Sequence, residues 1–167
     1  QKEDSDWVYN QMNLMVDCGE AYGLIRTELM GGYGAARENK VFVHGVKEEN
    51  GVKQDDFKSR FEIAWEDRFD EEVLESVGNR CFITVGVEQE KNKTVYKKFL
   101  SAYDVIEYLE AILEDDTVIN VKGNLKWSVY NEKTQCKKEI TSIVVSKAEE
   151  KDFKATFTQS VLLTKDS

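Results

Sequence analysis

Proline is absent from the 167 residues, histidine occurs once and cysteine three times. Without proline, no proline-rich linker marks a domain boundary, and no repeat or low-complexity run suggests one either. The lone histidine, His44 within VFVHG, reads as a structural or surface residue of a strand rather than a general base. Cys18, Cys81 and Cys136 lie far apart, in odd number and with no CxxC. That spacing argues against a disulfide framework or a zinc site and leads us to expect a reducing cytoplasm. No base stands beside any of the three in sequence, so a cysteine nucleophile is not expected. No apolar run approaches the ~20 residues that cross a bilayer, and no signal-peptide pattern is present. The chain begins at Gln1 rather than methionine, so an upstream segment is expected.

Cations are outnumbered, 23 Lys+Arg against 32 Asp+Glu, for a net charge of −9. The deficit is local. Residues 1–90 hold 10 cations against 20 anions, whereas residues 91–147 hold 10 against 8. Hydrophobic residues make up 41% and charged residues 33%, the balance of an ordinary globular chain. Its length suits one domain over residues 1–167, with residues 1–6 as a frayed terminus.

Catalytic motifs are missing as well. There is no GxSxG, P-loop or HExxH. Gly31–Gly34, GGYG, lacks dinucleotide-fingerprint spacing and reads as a flexible turn. EDRFDEE at 66–72 offers carboxylates, but Asp70 with Glu71 and Glu72 is explained by a helix start, so no metal, cofactor or enzymatic activity is expected.

What is present is mainly strand. Met12–Leu29 is strand-like and interrupted at Gly19 and Gly23; MGGYGAAREN follows as a loop, KVFVHGVK as a strand, and Asn50–Gly51 as a tight turn. FKSRFEIAW, CFITVGVE and KTVYKKFL are further strands, with a short helix over DEEVLESVGN. Ser101 opens a helix whose stripe is Val105, Ile106, Leu109, Ile112 and Leu113. VINVKGNLKWSVY, the turn NEKT, EITSIVVS and FKATFTQSVLL complete the series.

Between Asn120 and Tyr130 strict alternation separates two faces. One carries Asn120, Lys122, Asn124, Lys126, Ser128 and Tyr130. The other carries Val121, Gly123, Leu125, Trp127 and Val129, and places Trp127 in the expected core. Single strands of nucleic acid are held by a cationic groove with aromatic faces for the bases. The polar face has those ingredients, and the turn adds Lys133, Lys137 and Lys138. On KTVYKKFL, Tyr96 and Lys98 share a face opposite Lys97 and Phe99; Phe99 is read as core, and which face is outward stays open. Each residue taken singly also has a structural explanation.

The order of elements suggests a β-rich α+β chain: an OB-fold-like Greek-key barrel with one main helix between strands three and four, plus extra strands. A two-layer α+β sandwich remains the alternative. The segment VINVKGNLKWSVYNEKTQCKKEITSIVVS, through Val121, Gly123 and Leu125, resembles bacterial single-stranded DNA-binding proteins. More loosely, the whole chain resembles OB-fold single-stranded DNA binders encoded by phages and prophages of Gram-positive bacteria. The resemblance implies binding of single-stranded DNA, a replication or recombination protein as partner, and no membrane. It leaves self-association open. The acidic first half and the absence of a glycine-rich linker with an acidic tip depart from it. The rival reading is a protein-interaction module whose acidic surface docks a basic partner or mimics nucleic acid.

Overall fold

The computed structural model describes residues 5–159. Eight strands and two α-helices follow in chain order: β1 (Trp7–Asp17), β2 (Leu24–Gly34), β3 (Lys40–Glu49), β4 (Val52–Ala64), α1 (Glu71–Glu75), β5 (Ile83–Glu90), β6 (Lys93–Phe99), α2 (Ala102–Ile112), β7 (Ile119–Tyr130) and β8 (Lys133–Val145). The chain is mainly β, and no helix among the described residues is long and apolar enough to cross a membrane.

Three hairpins close through two-residue turns of the same kind. Asn50–Gly51, Lys91–Asn92 and Asn131–Glu132 all have positive φ, the conformation whose twist matches that of antiparallel strands. The last of these is tighter than the expected NEKT turn, because β8 already begins at Lys133.

Strand β7 pairs along the whole of β8, from Ile119↔Val145 to Tyr130↔Lys133. The opposite edge of β8 is shared: β2 meets it in parallel at Glu28↔Glu139, and β5 in parallel at Thr84–Gly86. Strands β1 and β6 extend the sheet antiparallel from β2 and β5, giving a mixed sheet in the order β1-β2-β8-β5-β6. Among the described residues these pairings form an open path rather than a ring. Strands β3 and β4 form a separate two-stranded sheet.

Helix α2 covers one face. The Ser101 hydroxyl accepts the Tyr103 amide and caps its start. Val105, Ile106 and Leu109 are fully buried against Leu29, Val85, Ile140 and Ile143, and each such side chain contributes ~1.5–3 kcal/mol. Ile140 and Ile143 stand three apart, a spacing no regular strand puts on one face. A bulge resolves it: the register jumps from Lys122↔Ser142 to Gly123↔Ile140, leaving Thr141 unpaired. A Cβ at Gly123 would meet the Glu139 carbonyl oxygen at 2.2 Å, so only glycine fits beside the bulge.

Asp104, three residues after the Ser101 cap, reaches across the fold. Its carboxylate accepts two bonds from Arg68, at 2.9 and 3.0 Å, with both side chains largely buried. The guanidinium lies 4.1 Å from the Trp65 ring centroid. This pair ties α2 to the end of the β3–β4 sheet, beside a second core of Val43, Ile63, Val77 and Phe82. Asp70 caps α1 as expected, accepting from the Val73 amide.

Three expectations are corrected. Met12–Leu29 is two strands joined by a tight link in which Gly19 and Gly23 have positive φ. GGYG is not a loop but the end of β2, paired with Trp7–Asn10. A Cβ on Gly31 would lie 2.5 Å from the Tyr103 amide nitrogen, so the glycine admits the start of α2 against the strand backbone. Residues 153–159 form no strand; the rest of FKATFTQSVLL and residues 1–4 lie outside the described residues.

Candidate nucleic-acid interface

The sheet has a second face, turned away from α2. Register alone fixes what it displays. Lys98 opposes Thr84, Thr84 opposes Ser142, and Ser142 opposes Lys122, so one row crosses β6, β5, β8 and β7 with a lysine at each end. At the usual strand spacing the two lysine Cα atoms stand about 14 Å apart. The next row runs Gly86↔Val144↔Asn120, and the Tyr96 ring lies over Gly86, where an added Cβ would approach it to 3.0 Å. The question left open by sequence is answered here. Tyr96 and Lys98 face outward, whereas Lys97 and Phe99 pack toward α2: Lys97 Nζ sits 4.2 Å from the Tyr108 ring centroid, and Phe99 packs 5.4 Å from that ring.

Beyond the bulge the same face continues along β7 and β8 as Asn124↔Glu139, Lys126↔Lys137, Ser128↔Gln135 and Tyr130↔Lys133. Lys126 and Lys137 are directly opposed, which would be repulsive alone. Carboxylates relieve it: Lys126 reaches Glu139 at 2.5 Å and Lys137 reaches Glu28 at 3.3 Å. Lys98, Lys122 and Lys133 make no ion pair among the described residues. The Lys126–Glu139 side chains are 61% and 40% exposed, so that pair contributes at most ~1 kcal/mol and yields readily to a competing anion.

Of the ten residues singled out from sequence, nine share this face: Tyr96, Lys98, Asn120, Lys122, Asn124, Lys126, Tyr130, Lys133 and Lys137. Lys138 does not; it opposes Leu125 on the other side of the ribbon. Trp127 is the clearest correction. It is 68% exposed, with Val129 at 72% and Leu125 at 44%, because β7 and β8 run on past the part of the sheet that α2 covers.

Sequence reasoning missed the far side of the face. Strand β1 starts at Trp7, five residues before the expected Met12, and its register with β2 puts Trp7, Tyr9, Gln11 and Asn13 beside Met30 and Glu28. Arg26 joins them, its guanidinium donating to Asn13 Oδ1 at 2.8 and 3.2 Å. The alternation in WVYNQMN was the available signal, with no charge on its outward side. Where β2 and β8 splay from their single bridge, a shallow groove of ≈ 260 Å³ opens between Trp7, Met30, Lys126 and Lys137. A second of ≈ 300 Å³ adjoins it at Glu28 and Lys137, in the gap between the strands, and is lined from this face by Arg26 and Gln135 and from the other by Thr27, Cys136 and Lys138.

The whole face therefore presents Arg26, Lys98, Lys122, Lys126, Lys133 and Lys137 against Glu28 and Glu139, with Trp7, Tyr9, Tyr96 and Tyr130 exposed among them. It suits an extended anion that carries flat groups. Comparison of the chain with protein-family models, curated proteins and solved structures finds no match.

Proposed function

We propose that this chain is a sequence-tolerant single-stranded DNA-binding protein that lays the strand across the sheet face opposite α2. The observation that carries the reading is the row Lys98–Thr84–Ser142–Lys122, continued by Lys126 and Lys137 and flanked by exposed aromatic rings. Phosphates need mobile cations, and bases need open π-faces, each stack contributing ~1–3 kcal/mol whatever the base. Both are on this face in a molecule whose net charge is −9. The single long helix between β6 and β7 supports an OB-like scaffold. Three free thiols fit a reducing bacterial cytoplasm. The resemblance to phage and prophage proteins points to replication or recombination as the setting.

Fluorescence anisotropy with labelled oligo-dT tests the reading. Binding is expected at low salt and should weaken steeply as salt rises. Lys98→Ala/Lys122→Ala should lower affinity by about tenfold through the loss of phosphate contacts. Absence of binding at low salt removes the proposal.

One observation favours the rival, a protein-interaction module on the same scaffold. Lys126 and Lys137 already have carboxylate partners, so the ribbon is less cationic than its lysine count suggests. On that reading oligo-dT is ignored, and a basic host protein is retained by the acidic first half of the chain.

A further inference from the structure

The outer part of β7 has two features that the DNA-binding face does not use. Its free edge pairs with no strand among the described residues, and its apolar stripe of Leu125, Trp127 and Val129 is exposed. A long, unpaired strand with an uncovered apolar face is a template for another strand. The side chains of β7 determine which strand fits. We propose that two copies of this chain pair antiparallel, β7 edge to β7 edge, about a two-fold axis at Leu125.

The register follows from side chains on the page. With Leu125 facing its own counterpart, residues 120–130 of both copies pair. Lys122 then faces Ser128, Lys126 faces Asn124, and Asn120 faces Tyr130. Gly123, exposed and lacking a side chain, faces Trp127, and Val121 faces Val129. Aromatic–glycine opposition shields an edge glycine, and the two apolar stripes become one. Sliding by two residues in one direction sets Lys122 against Lys126; sliding in the other sets Lys126 against itself. Like charges directly opposed are unfavourable, so the lysines select this register while leaving the pairing itself open. A symmetric pairing of this kind closes at two copies and leaves no free β7 edge. It also joins two cationic faces into one sheet, though the proposal needs no ligand.

Sedimentation velocity of the full chain should show a species of twice the 19.2 kDa chain mass. Asn124→Lys opposes Lys126 twice by symmetry and should weaken self-association about tenfold. Asn120→Lys adds the same charge opposite Tyr130 and should leave it intact. On mild oxidation in a Cys136→Ser background, Leu125→Cys should form an interchain disulfide, since facing Cα atoms in such a pair lie within bridging distance. Val129→Cys faces position 121 and should not cross-link. Circular dichroism on each variant separates loss of pairing from loss of fold. A monomer at the highest concentration reached overturns the proposal. So does a dimer that tolerates Asn124→Lys and gives no Leu125→Cys cross-link.

Discussion

The two halves of β7 have the same alternating pattern and opposite surroundings. In the first, Ile119 and Val121 pack at the edge of the core beneath α2, and Val121 opposes the fully buried Ile143. In the second, Leu125, Trp127 and Val129 occupy the same face of the same strand with nothing above them among the described residues. Periodicity sets which side chains share a face; a second layer decides whether that face is core. The helix that supplies this layer is only 11 residues long, about 17 Å, while the β7–β8 ribbon runs for 12 residues at about 3.4 Å each. The ribbon must outrun its cover.

The largest effect should come from breaking the tie that anchors the covered half. Asp104→Ala leaves the largely buried Arg68 guanidinium without its carboxylate, and we expect a loss of about 3–5 kcal/mol in urea unfolding. Next, Ile143→Ala should cost ~2–5 kcal/mol, whereas Trp127→Ala, measured in dilute protein, should change chain stability by less than ~0.5 kcal/mol. Equal costs would erase the distinction between the halves. Gly31→Ala should cost ~1–3 kcal/mol by forcing α2 away from β2.

The smallest effect concerns pH. The Tyr108 hydroxyl donates to Glu88, and Lys97 lies 2.9 Å from the same carboxylate. Tyr108 first, then Lys97, holds Glu88 below the ordinary glutamate range. A carboxylate held low in the folded state contributes stability above its unfolded value and loses it as pH falls through the folded one. Tyr108→Phe should therefore lower Tm on the alkaline side of the acid limb, leave the acid end of that limb little changed, and so flatten the limb of the Tm–pH profile. An unchanged acid limb would contradict the Glu88 assignment.

Much of this was legible in the sequence. Ser101 and the stripe Val105–Ile106–Leu109 specified α2, and the positive-φ pairs at Asn50–Gly51 and Asn131–Glu132 fell inside the expected turns. Lys122 and Lys126 share the face that alternation assigns them. Other features were hidden for physical reasons. The bulge at Thr141 puts Ile140 and Ile143 on one face, against the period that a strand reading assumes. Glycines in GGYG mark close packing of α2 rather than a turn. Arg68 and Asp104 meet across 36 residues, a pairing no local pattern encodes. Trp7 and Tyr9 directly follow the charged run QKEDSD, which masks the start of β1.

The central claim is that the face opposite α2 follows a phosphate backbone. Its most direct test is the slope of log affinity against log salt for oligo-dT, compared across single-lysine variants. Lys122→Ala should reduce the slope by about 0.7, one phosphate contact, while Lys53→Ala on the β3–β4 hairpin leaves it unchanged. Equal slopes for both variants would contradict it.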